Sequence, residues 1–151
     1  ETDEESPQHV AGLVINKPTR TKLQKIFQVK GFKTINISDL VYSGGPVNQG
    51  NIIMMHTNEW KCKNTLPLAN GISITSDPQM LKKMHEQDQP QAWRVFSGLS
   101  IWSPGQLEGE INSKCWMTAI PTPELSLETP TTQIYEKAIE ICSKQIIDKY
   151  I

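Results

Sequence analysis

Residues 97–111 read SGLSIWSPGQLEGEI, and this stretch decides the fold because it marks a change from strand to helix. The residues leading into it, AWRVFSGLSI (92–101), are rich in β-favouring side chains and predict a long strand. The segment SPGQ (103–106) then has the form of a capping box, with serine at the N-cap, proline at N1 and glutamine at N3. We therefore expect a strand, a tight turn and a short helix that directs Leu107 and Ile111 toward the core.

The same turn is a candidate ligand site. Backbone N–H groups that are exposed where a strand turns into a helix bind anions or carbonyl oxygens, and glycine lets a ligand approach the backbone closely. A tryptophan beside such a turn can stack on a flat ligand, although it can equally belong to the core or to a lid. The candidate residues of this turn are Ser100, Trp102, Gly105, Gln106 and Glu110.

No catalytic residue is predicted from this stretch. GLSIW (98–102) is close to the nucleophile elbow G-x-S-x-G, but tryptophan replaces the second glycine that the strained turn requires. No histidine follows His85 to complete a catalytic triad. Glu108 and Glu110 are two positions apart, so on a helix they point about 200° apart and cannot act on one bond.

The rest of the chain mixes strand-like and helix-like segments without an internal repeat. Asn70-Gly71 lies between two β-favouring runs and predicts a hairpin, because both residues of such a turn need positive φ. Apolar runs, helical spacing and caps predict strands at 10–16, 40–47, 51–57 and 115–120, and helices at 21–29, after SDP (76–78) and from 131 to the end. The order lacks a strict βαβ rhythm and indicates an α+β fold.

Three further segments supply candidate binding residues. Asn16 and Lys17 precede a proline at a strand end, where they can line a cleft or simply form the turn. Gly44 and Gly45 follow a strand in SGGP and can form an anion-binding nest, although a turn that needs positive φ is the alternative. His56 ends the strand NIIMMHT and is either a pocket residue or a hydrogen-bonded structural residue.

Composition argues against several classes of protein. The 151 residues carry 15 basic and 16 acidic side chains, and a net charge of −1 is unusual for a protein whose main task is to bind phosphate backbones. The three histidines share no metal-ligand spacing with a cysteine or carboxylate, so no metal site is predicted. Widely spaced cysteines, with no signal peptide and no apolar run long enough to span a bilayer, predict one cytoplasmic domain with free thiols.

Four segments, taken in order, resemble the AlgH/YqgE family of small bacterial proteins. They are GLVINKP (12–18), YSGGPV (42–47) followed by His56-Thr57, ISITSD (72–77), and SGLSIWSPGQLEGEI (97–111) with Trp116 downstream. The resemblance implies an α+β fold in which a bent, bifurcated, mostly antiparallel sheet forms a pseudo-barrel flanked by helices. It also implies that residues 1–151 form one domain of this type without its N-terminal strand. The family is linked by name to transcriptional regulation, and the resemblance supplies no catalytic residues.

The sequence favours a noncatalytic binding or regulatory domain whose ligand is a small anion or a partner protein, and no cofactor is predicted. One alternative is an enzyme whose site is assembled from Asn16, His56, Ser100 and Glu110. Another is a nucleic-acid-associated transcriptional regulator. No helix-turn-helix, aromatic RNA-binding strand motif or basic excess supports that second alternative.

Overall fold

The long strand predicted ahead of SPGQ lies at the centre of the sheet. A computed structural model describes residues 8–33 and 37–150, apart from the side chain of Tyr150; the acidic start of the chain, 1–7, lies outside the described residues. In chain order the elements are β1 Val10–Gly12, β2 Pro18–Lys22, α1 Leu23–Val29, β3 Leu40–Ser43, β4 Val47–Thr57, β5 Thr65–Pro67, β6 Ile72–Thr75, α2 Gln79–His85, β7 Trp93–Trp102, α3 Gln106–Asn112, a π-helical turn Glu124–Glu128, and α4 Thr131–Tyr150.

The sheet divides along β7. Its order is β2-β3-β7-β4-β6-β5, and β1 pairs with β7 outside this path. The first half of β7 pairs in parallel with β3 at Phe96 and Ser97, whereas the second half pairs antiparallel with β1 from Ser100 to Trp102. Apart from the β3–β7 pair, the strand pairs are antiparallel. The α+β class and the bifurcated, mostly antiparallel sheet are therefore confirmed, and the sheet stays open rather than closing into a barrel.

Three glycines bring two chain segments into backbone contact where the sheet divides. Gly98 has a φ of +76°, and a Cβ on it would lie 2.4 Å from the carbonyl oxygen of Gly45. A Cβ on Gly44 would lie 2.3 Å from the carbonyl oxygen of Gly98, and a Cβ on Gly45 would lie 2.3 Å from the carbonyl carbon of Leu99. Because only glycine permits this approach, the three glycines form what we call the branch point of the sheet.

Hydrophobic clusters form the core. One unites α1 and α2 with β3, β4 and β7, and it consists of Leu23, Phe27, Val41, Met54, Trp60, Met80, Leu81, Met84 and Val95. The second consists of Met55, Ile72, Phe96 and Leu127, so it includes the π-helical turn. Met54 and Met55, like Val95 and Phe96, are neighbours that enter different clusters, as the alternation of side chains along a strand requires.

The strand predicted over 115–120 is wrong. No residue of that segment pairs in a strand, and Trp116 and Met117 are substantially exposed. The backbone N–H of Ile120 lies 3.3 Å from the side-chain oxygen of Gln145 on α4 and donates a hydrogen bond to it. The segment thus runs beside α4 instead of pairing with a strand. Its composition is that of a strand, but composition does not determine whether a neighbouring strand is available for pairing. The strand predicted over 10–16 is shorter than expected and ends at Gly12.

The predicted capping box is only half formed. The Ser103 N–H donates to the side-chain oxygen of Gln106 at 3.0 Å, but α3 begins at Gln106, after Gly105 with a φ of +77°. The expectation that Leu107 and Ile111 face the core is wrong for Ile111, which is 40% exposed, and Leu107 is only half-buried, since α3 has no fully buried residue. The half-buried residues of α3 are Leu107 and Glu110, which share one side of the helix at i, i+3 spacing, whereas Gln106 is exposed.

We predict that Arg94→Lys lowers stability by about 1–2 kcal/mol. Arg94 on β7 donates to the backbone oxygens of Ser126, at 3.0 Å, and Thr129, and its guanidinium lies 5.5 Å from the Tyr42 ring. Lysine keeps the charge but lacks the planar fork that reaches both carbonyls. Urea denaturation followed by circular dichroism measures the loss. Arg20→Lys on exposed β2 is the control, expected within about 0.5 kcal/mol; an equal loss in both variants would refute the fork's role.

Candidate functional site

His56 lies in the core and not in a pocket. It is fully buried, and its ring packs edge-on against Trp60 with 5.2 Å between ring centroids. Nδ1 lies 2.7 Å from the backbone oxygen of Thr57, and Nε2 lies 2.7 Å from the hydroxyl of Thr75. A carbonyl oxygen only accepts, so Nδ1 carries the proton and Nε2 accepts from Thr75. The geometry therefore matches the alternative in which His56 is a hydrogen-bonded structural residue.

The hydrogen bonds of His56 continue into a chain with one direction. The backbone N–H of Cys62 donates to the hydroxyl of Thr65 at 2.8 Å, and that hydroxyl lies 2.7 Å from the hydroxyl of Thr75. Thr65 therefore donates to Thr75, and Thr75 donates to neutral His56. Every polar side-chain atom in this series of hydrogen bonds has a partner. Burial lowers the pKa of His56, and its hydrogen bond to Thr57 and the nearby Glu59 carboxylate oppose this only in part.

Four candidate residues lie around the branch point. The N–H of Gly44 donates to the backbone oxygen of Ser97 at 3.0 Å, so this donor of the expected anion nest is already in use. The Ser100 hydroxyl lies 3.5 Å from the carbonyl oxygen of Gly44, and the carbonyl oxygen of Lys17 accepts from the backbone N–H of Ser43. These contacts hold chain segments together. Asn16, next to Lys17, is exposed.

The geometry separates the residues of the expected composite enzyme site. His56 pairs with Trp93 at the beginning of β7, whereas Ser100 lies seven positions further along the same strand. At about 3.3 Å per residue this places roughly 23 Å between the two backbones. His56 and Ser100 therefore cannot act on one substrate group, which removes the central pair of that hypothesis.

Trp102, Gln106 and Glu110 come together around a tryptophan that did not figure among the candidates. The side-chain nitrogen of Gln106 donates to one oxygen of the Glu110 carboxylate at 3.1 Å. The indole N–H of Trp116 donates to the other oxygen at 2.7 Å, and the Trp116 ring meets Trp102 edge-on at 6.0 Å. Gly105 precedes Gln106 in the left-handed conformation. This tryptophan cluster, residues 102, 106, 110 and 116, fixes the orientation of the 115–120 segment.

A groove of about 500 Å³ separates that segment from α4. Its walls include the aromatic rings of Trp116 and Tyr135 and the side chains of Met117 and Ile139, and none of the described residues that line it is charged. Such a concave, mostly apolar surface with aromatic walls has the properties of a binding site. We call it the α4 groove.

The apolar pattern of α4 contained a signal for this groove. The sequence predicts one face made of Ile134, Ala138, Ile141, Cys142 and Ile146, but these residues belong to two stripes of 4-3-4 spacing. The inner stripe consists of Ile134, Ala138, Ile141 and Gln145, and the outer stripe consists of Tyr135, Ile139, Cys142 and Ile146. Tyr135 and Ile146 are 66% and 52% exposed, so the outer stripe is only partly covered. A second stripe was the available sign that α4 has a face that the described residues cover only in part.

Residues 8–33 and 37–150 form neither a membrane-crossing helix nor a metal-binding cluster. No helix of the described part of the chain combines the length and apolarity that crossing a membrane requires. Among the same residues, no three histidine, cysteine or acidic side chains come together as a set that could hold a metal ion.

Comparisons of the chain with family models and with curated proteins agree on one family. The family model described as AlgH-like matches residues 3–146. A UPF0301 protein of Proteus mirabilis is 31% identical over 137 residues, which cover 86% of this chain and 73% of that protein. A UPF0301 protein of Polaromonas is 31% identical over 151 residues, covering 94% and 77%.

Solved structures show the same fold. The solution structure of the AlgH protein from Pseudomonas aeruginosa superposes with a TM-score of 0.75 at 24% identity, covering 90% of this chain and 74% of that one. A crystal structure of a Corynebacterium diphtheriae protein gives a TM-score of 0.58 at 24% identity, covering 80% and 64%. The match of the family model to nearly the whole chain, with relatives above 30% identity, shows that the chain belongs to the AlgH-like family.

Proposed function

We propose that the protein is a noncatalytic docking module that binds an amphipathic helix of a partner protein in the α4 groove. The observation that carries this proposal is the outer stripe of α4, which repeats apolar side chains at 4-3-4 spacing. Cys142 is buried and Ile139 is half-buried, but the residues that the structure describes leave Tyr135 and Ile146 exposed. Helices recognise one another through such stripes, because residues three and four positions apart share one face. The proposal gives the binding function predicted from the sequence a candidate surface and a candidate class of ligand.

The exposed side chains of the groove are suited to anchor a partner. Trp116, Met117 and Tyr135 are 47%, 64% and 66% exposed. At 150–250 Å² for each large side chain, they expose about 400 Å² together. That area is about half of what one partner contributes to a standard interface. Tryptophan and tyrosine are also enriched among residues that dominate binding energies.

The charge beside the groove indicates what flanks the partner's apolar stripe. Glu136 and Glu140 follow Tyr135 and Ile139 by one position, so each lies about 100° round α4 from the outer stripe. Both acidic residues are exposed; Lys137 and Lys144, also exposed, lie three positions before and four positions after Glu140, on the side of α4 further from the outer stripe. A bound helix that carries lysine or arginine beside its stripe would meet these carboxylates, in the way that flanking charges select partners in coiled coils.

The separation of the candidate catalytic residues supports the noncatalytic part of the proposal. His56 is committed to a satisfied core network, and Ser100 bonds to the backbone at the branch point. Glu110 is held by Gln106 and Trp116, so its carboxylate positions a wall of the groove. A small anion at the glycines, cytoplasmic location and a part in transcriptional regulation stay predictions of the sequence.

A designed 21-residue peptide pair tests the helix-binding proposal. Both peptides carry leucine at 4-3-4 spacing, one with lysine and the other with glutamate at the flanking positions. We expect the lysine peptide to bind with micromolar affinity in isothermal titration calorimetry and the glutamate peptide at least about tenfold more weakly, since like charges would then face Glu136 and Glu140. Met117→Ser with Tyr135→Ser should weaken binding of the lysine peptide by about 2 kcal/mol.

Leu66→Ser is the matched control, because Leu66 is 57% exposed on β5 at an edge of the sheet and outside the groove. It should leave peptide binding unchanged. Failure of the lysine peptide to bind at about 1 mM, or equal binding of both peptides, would contradict the proposal. Self-association that competes with the peptide would instead identify a second copy of the chain as the occupant.

A further inference from the structure

A second groove, at the β2 edge of the sheet, is polar and basic. It is formed by β2 and α1 and is lined by Arg20, Thr21, Lys22, Gln24, Lys25 and Gln28. Arg20 and Lys22 alternate along β2 and share its exposed face, and Lys25 follows Lys22 by three positions at the start of α1. Consecutive elements thus place three cations, two amides and a hydroxyl around one opening, which we call the basic groove.

The basic groove lies in the most asymmetrically charged part of the chain. Residues 6–38 contain six basic side chains and no acidic one; they are Lys17, Arg20, Lys22, Lys25, Lys30 and Lys33. Because the whole chain has 15 basic and 16 acidic side chains, the remaining residues have nine basic and 16 acidic, or a net charge of −7. The overall charge of −1 therefore conceals a strongly positive segment.

Among the described residues, 8–33 and 37–150, no carboxylate belongs to the wall of the basic groove. Asp39 is linked to α1 through its backbone oxygen, which accepts from the N–H of Leu23 at 2.8 Å, but Asp39 is not one of the lining residues. Thr21 and Gln24 are half-buried at the base, whereas the three cationic side chains are exposed. The cations therefore face solvent together and raise the local positive potential.

We propose that the basic groove binds the phosphodiester backbone of a nucleic-acid duplex without reading its sequence. Arginine, lysine, threonine and glutamine are the side chains that donate to phosphate oxygens in such complexes. The part of the chain that the structure describes contributes no aromatic residue to the groove, and so no platform on which unpaired bases stack. None of its residues belongs to the α4 groove, and the proposal is independent of helix docking.

Other polyanions match the basic groove less well. An acidic protein surface normally adds an apolar or aromatic anchor at the centre of its contact, and all six lining residues are polar. An anionic membrane attracts basic segments that also insert large apolar side chains. The exposed apolar residues next to this groove are Val29, which follows Gln28, and Leu40, which pairs with Lys22 and is only 36% exposed; neither is aromatic. A concave row of cations instead suits a convex sugar–phosphate strand.

Fluorescence anisotropy with labelled 20-base-pair DNA and RNA duplexes of arbitrary sequence tests this inference. Three phosphate contacts predict that affinity weakens about 40-fold between 50 and 200 mM salt. The triple variant Arg20→Gln, Lys22→Gln, Lys25→Gln should bind at least about tenfold more weakly at 50 mM salt and lose most of the salt dependence. The control Lys82→Gln, Lys137→Gln, Lys144→Gln removes the same charge from exposed positions elsewhere and should change affinity less than about threefold.

Each outcome decides the inference. The inference is supported if a duplex binds the wild type and the control variant but not the groove variant. Comparing DNA with RNA then shows which nucleic acid supplies the phosphodiester backbone. Absence of duplex binding at 50 mM salt overturns it, as does an equal loss in both triple variants. Tighter binding to polyglutamate, or to phosphatidylglycerol vesicles, than to both duplexes also overturns it, because the groove would then recognise a different polyanion. Circular dichroism verifies that both triple variants are folded.

Discussion

Gly45→Ala should lower the free energy of unfolding by about 3 kcal/mol or more and leave much of the protein unfolded at 37 °C. The added Cβ would lie 2.3–2.5 Å from three backbone atoms, the carbonyl carbon and oxygen of Leu99 and the nitrogen of Ser100. Backbone atoms of a paired strand cannot move aside as the end of a flexible side chain can. At about 2–4 °C per kcal/mol for a domain of this size, the midpoint of thermal unfolding should fall by about 10 °C.

Two other glycines provide controls for this steric argument. A Cβ added to Gly50 or Gly109 would have no neighbouring atom within 4 Å, and neither residue has a positive φ. Gly50→Ala should change stability by less than about 0.5 kcal/mol, and Gly109→Ala within α3 should raise it by up to about 1 kcal/mol. Thermal unfolding followed by circular dichroism, or pulse proteolysis in lysate for a poorly soluble variant, measures the differences. A Gly45→Ala protein as stable as Gly50→Ala would remove the branch point as an explanation for the glycines.

The branch point also shows why part of the candidate site could not be predicted. A glycine pair after a strand has the same sequence signature in a tight turn, in an anion nest and in a backbone crossing. These three structures differ in what contacts the glycines. Gly44 and Gly45 lie against Gly98, which is more than fifty positions away in the sequence. Loss of anion binding in Gly45→Ala would consequently report damage to the sheet as readily as loss of a ligand contact.

Features set by near neighbours were predictable. Asn70 and Gly71 have φ values of 59° and 81° and join β5 to β6 in the expected hairpin. Ser76 and Asp77 before Pro78 are the two capping residues that the sequence offers for α2, and the Asp77 carboxylate accepts from the backbone N–H of Gln79 at 2.9 Å where the helix begins. Each depends on a few consecutive residues, so the sequence contains all the information that the local geometry requires.

The α4 groove and the fate of the 115–120 segment depend on tertiary contacts instead. The segment has a strand-like composition, but the bond from Trp116 to Glu110 and the contact with Trp102 hold it beside α4. Gln106 and Glu110 were predicted as candidates for the turn after β7, and the structure does bring them together with Trp102. The surface that they support was missed because its other wall is a helix that starts fifteen residues after Trp116.

The second large effect is a loss of stability in mild acid that depends on His56. The unfolded chain has a histidine pKa near 6.5, and burial lowers the pKa of His56 in the folded protein. Above about pH 6.5 both states are neutral and the full stability is present. As the pH falls from there toward the folded pKa, only the unfolded chain takes up the proton, so the free energy of unfolding decreases by up to about 1.36 kcal/mol per pH unit.

The hydrogen-bond chain gives this pH effect a structural cause. A proton on Nε2 of His56 would have to be donated to Thr75, which would reverse the donors along the chain and leave the Thr65 hydroxyl without its acceptor. Thr75→Val removes the donor to Nε2 within the core and should cost about 1–3 kcal/mol at pH 8. Thr21→Val at the basic groove is the control and should cost much less, because Thr21 is only half-buried whereas Thr75 is fully buried.

Urea denaturation of the wild type and His56→Gln between pH 5 and pH 8 isolates the contribution of His56, because other groups titrate equally in both proteins. The difference in unfolding free energy should be constant above about pH 6.5 and shrink below it, as the wild type alone loses stability. The chemical shifts of the His56 ring give its pKa directly, even if His56→Gln does not fold. A ring that titrates at or above about pH 6.5 in the folded protein would show that Thr75 and Thr65 accommodate the imidazolium and that neutral His56 is not the form on which the core depends.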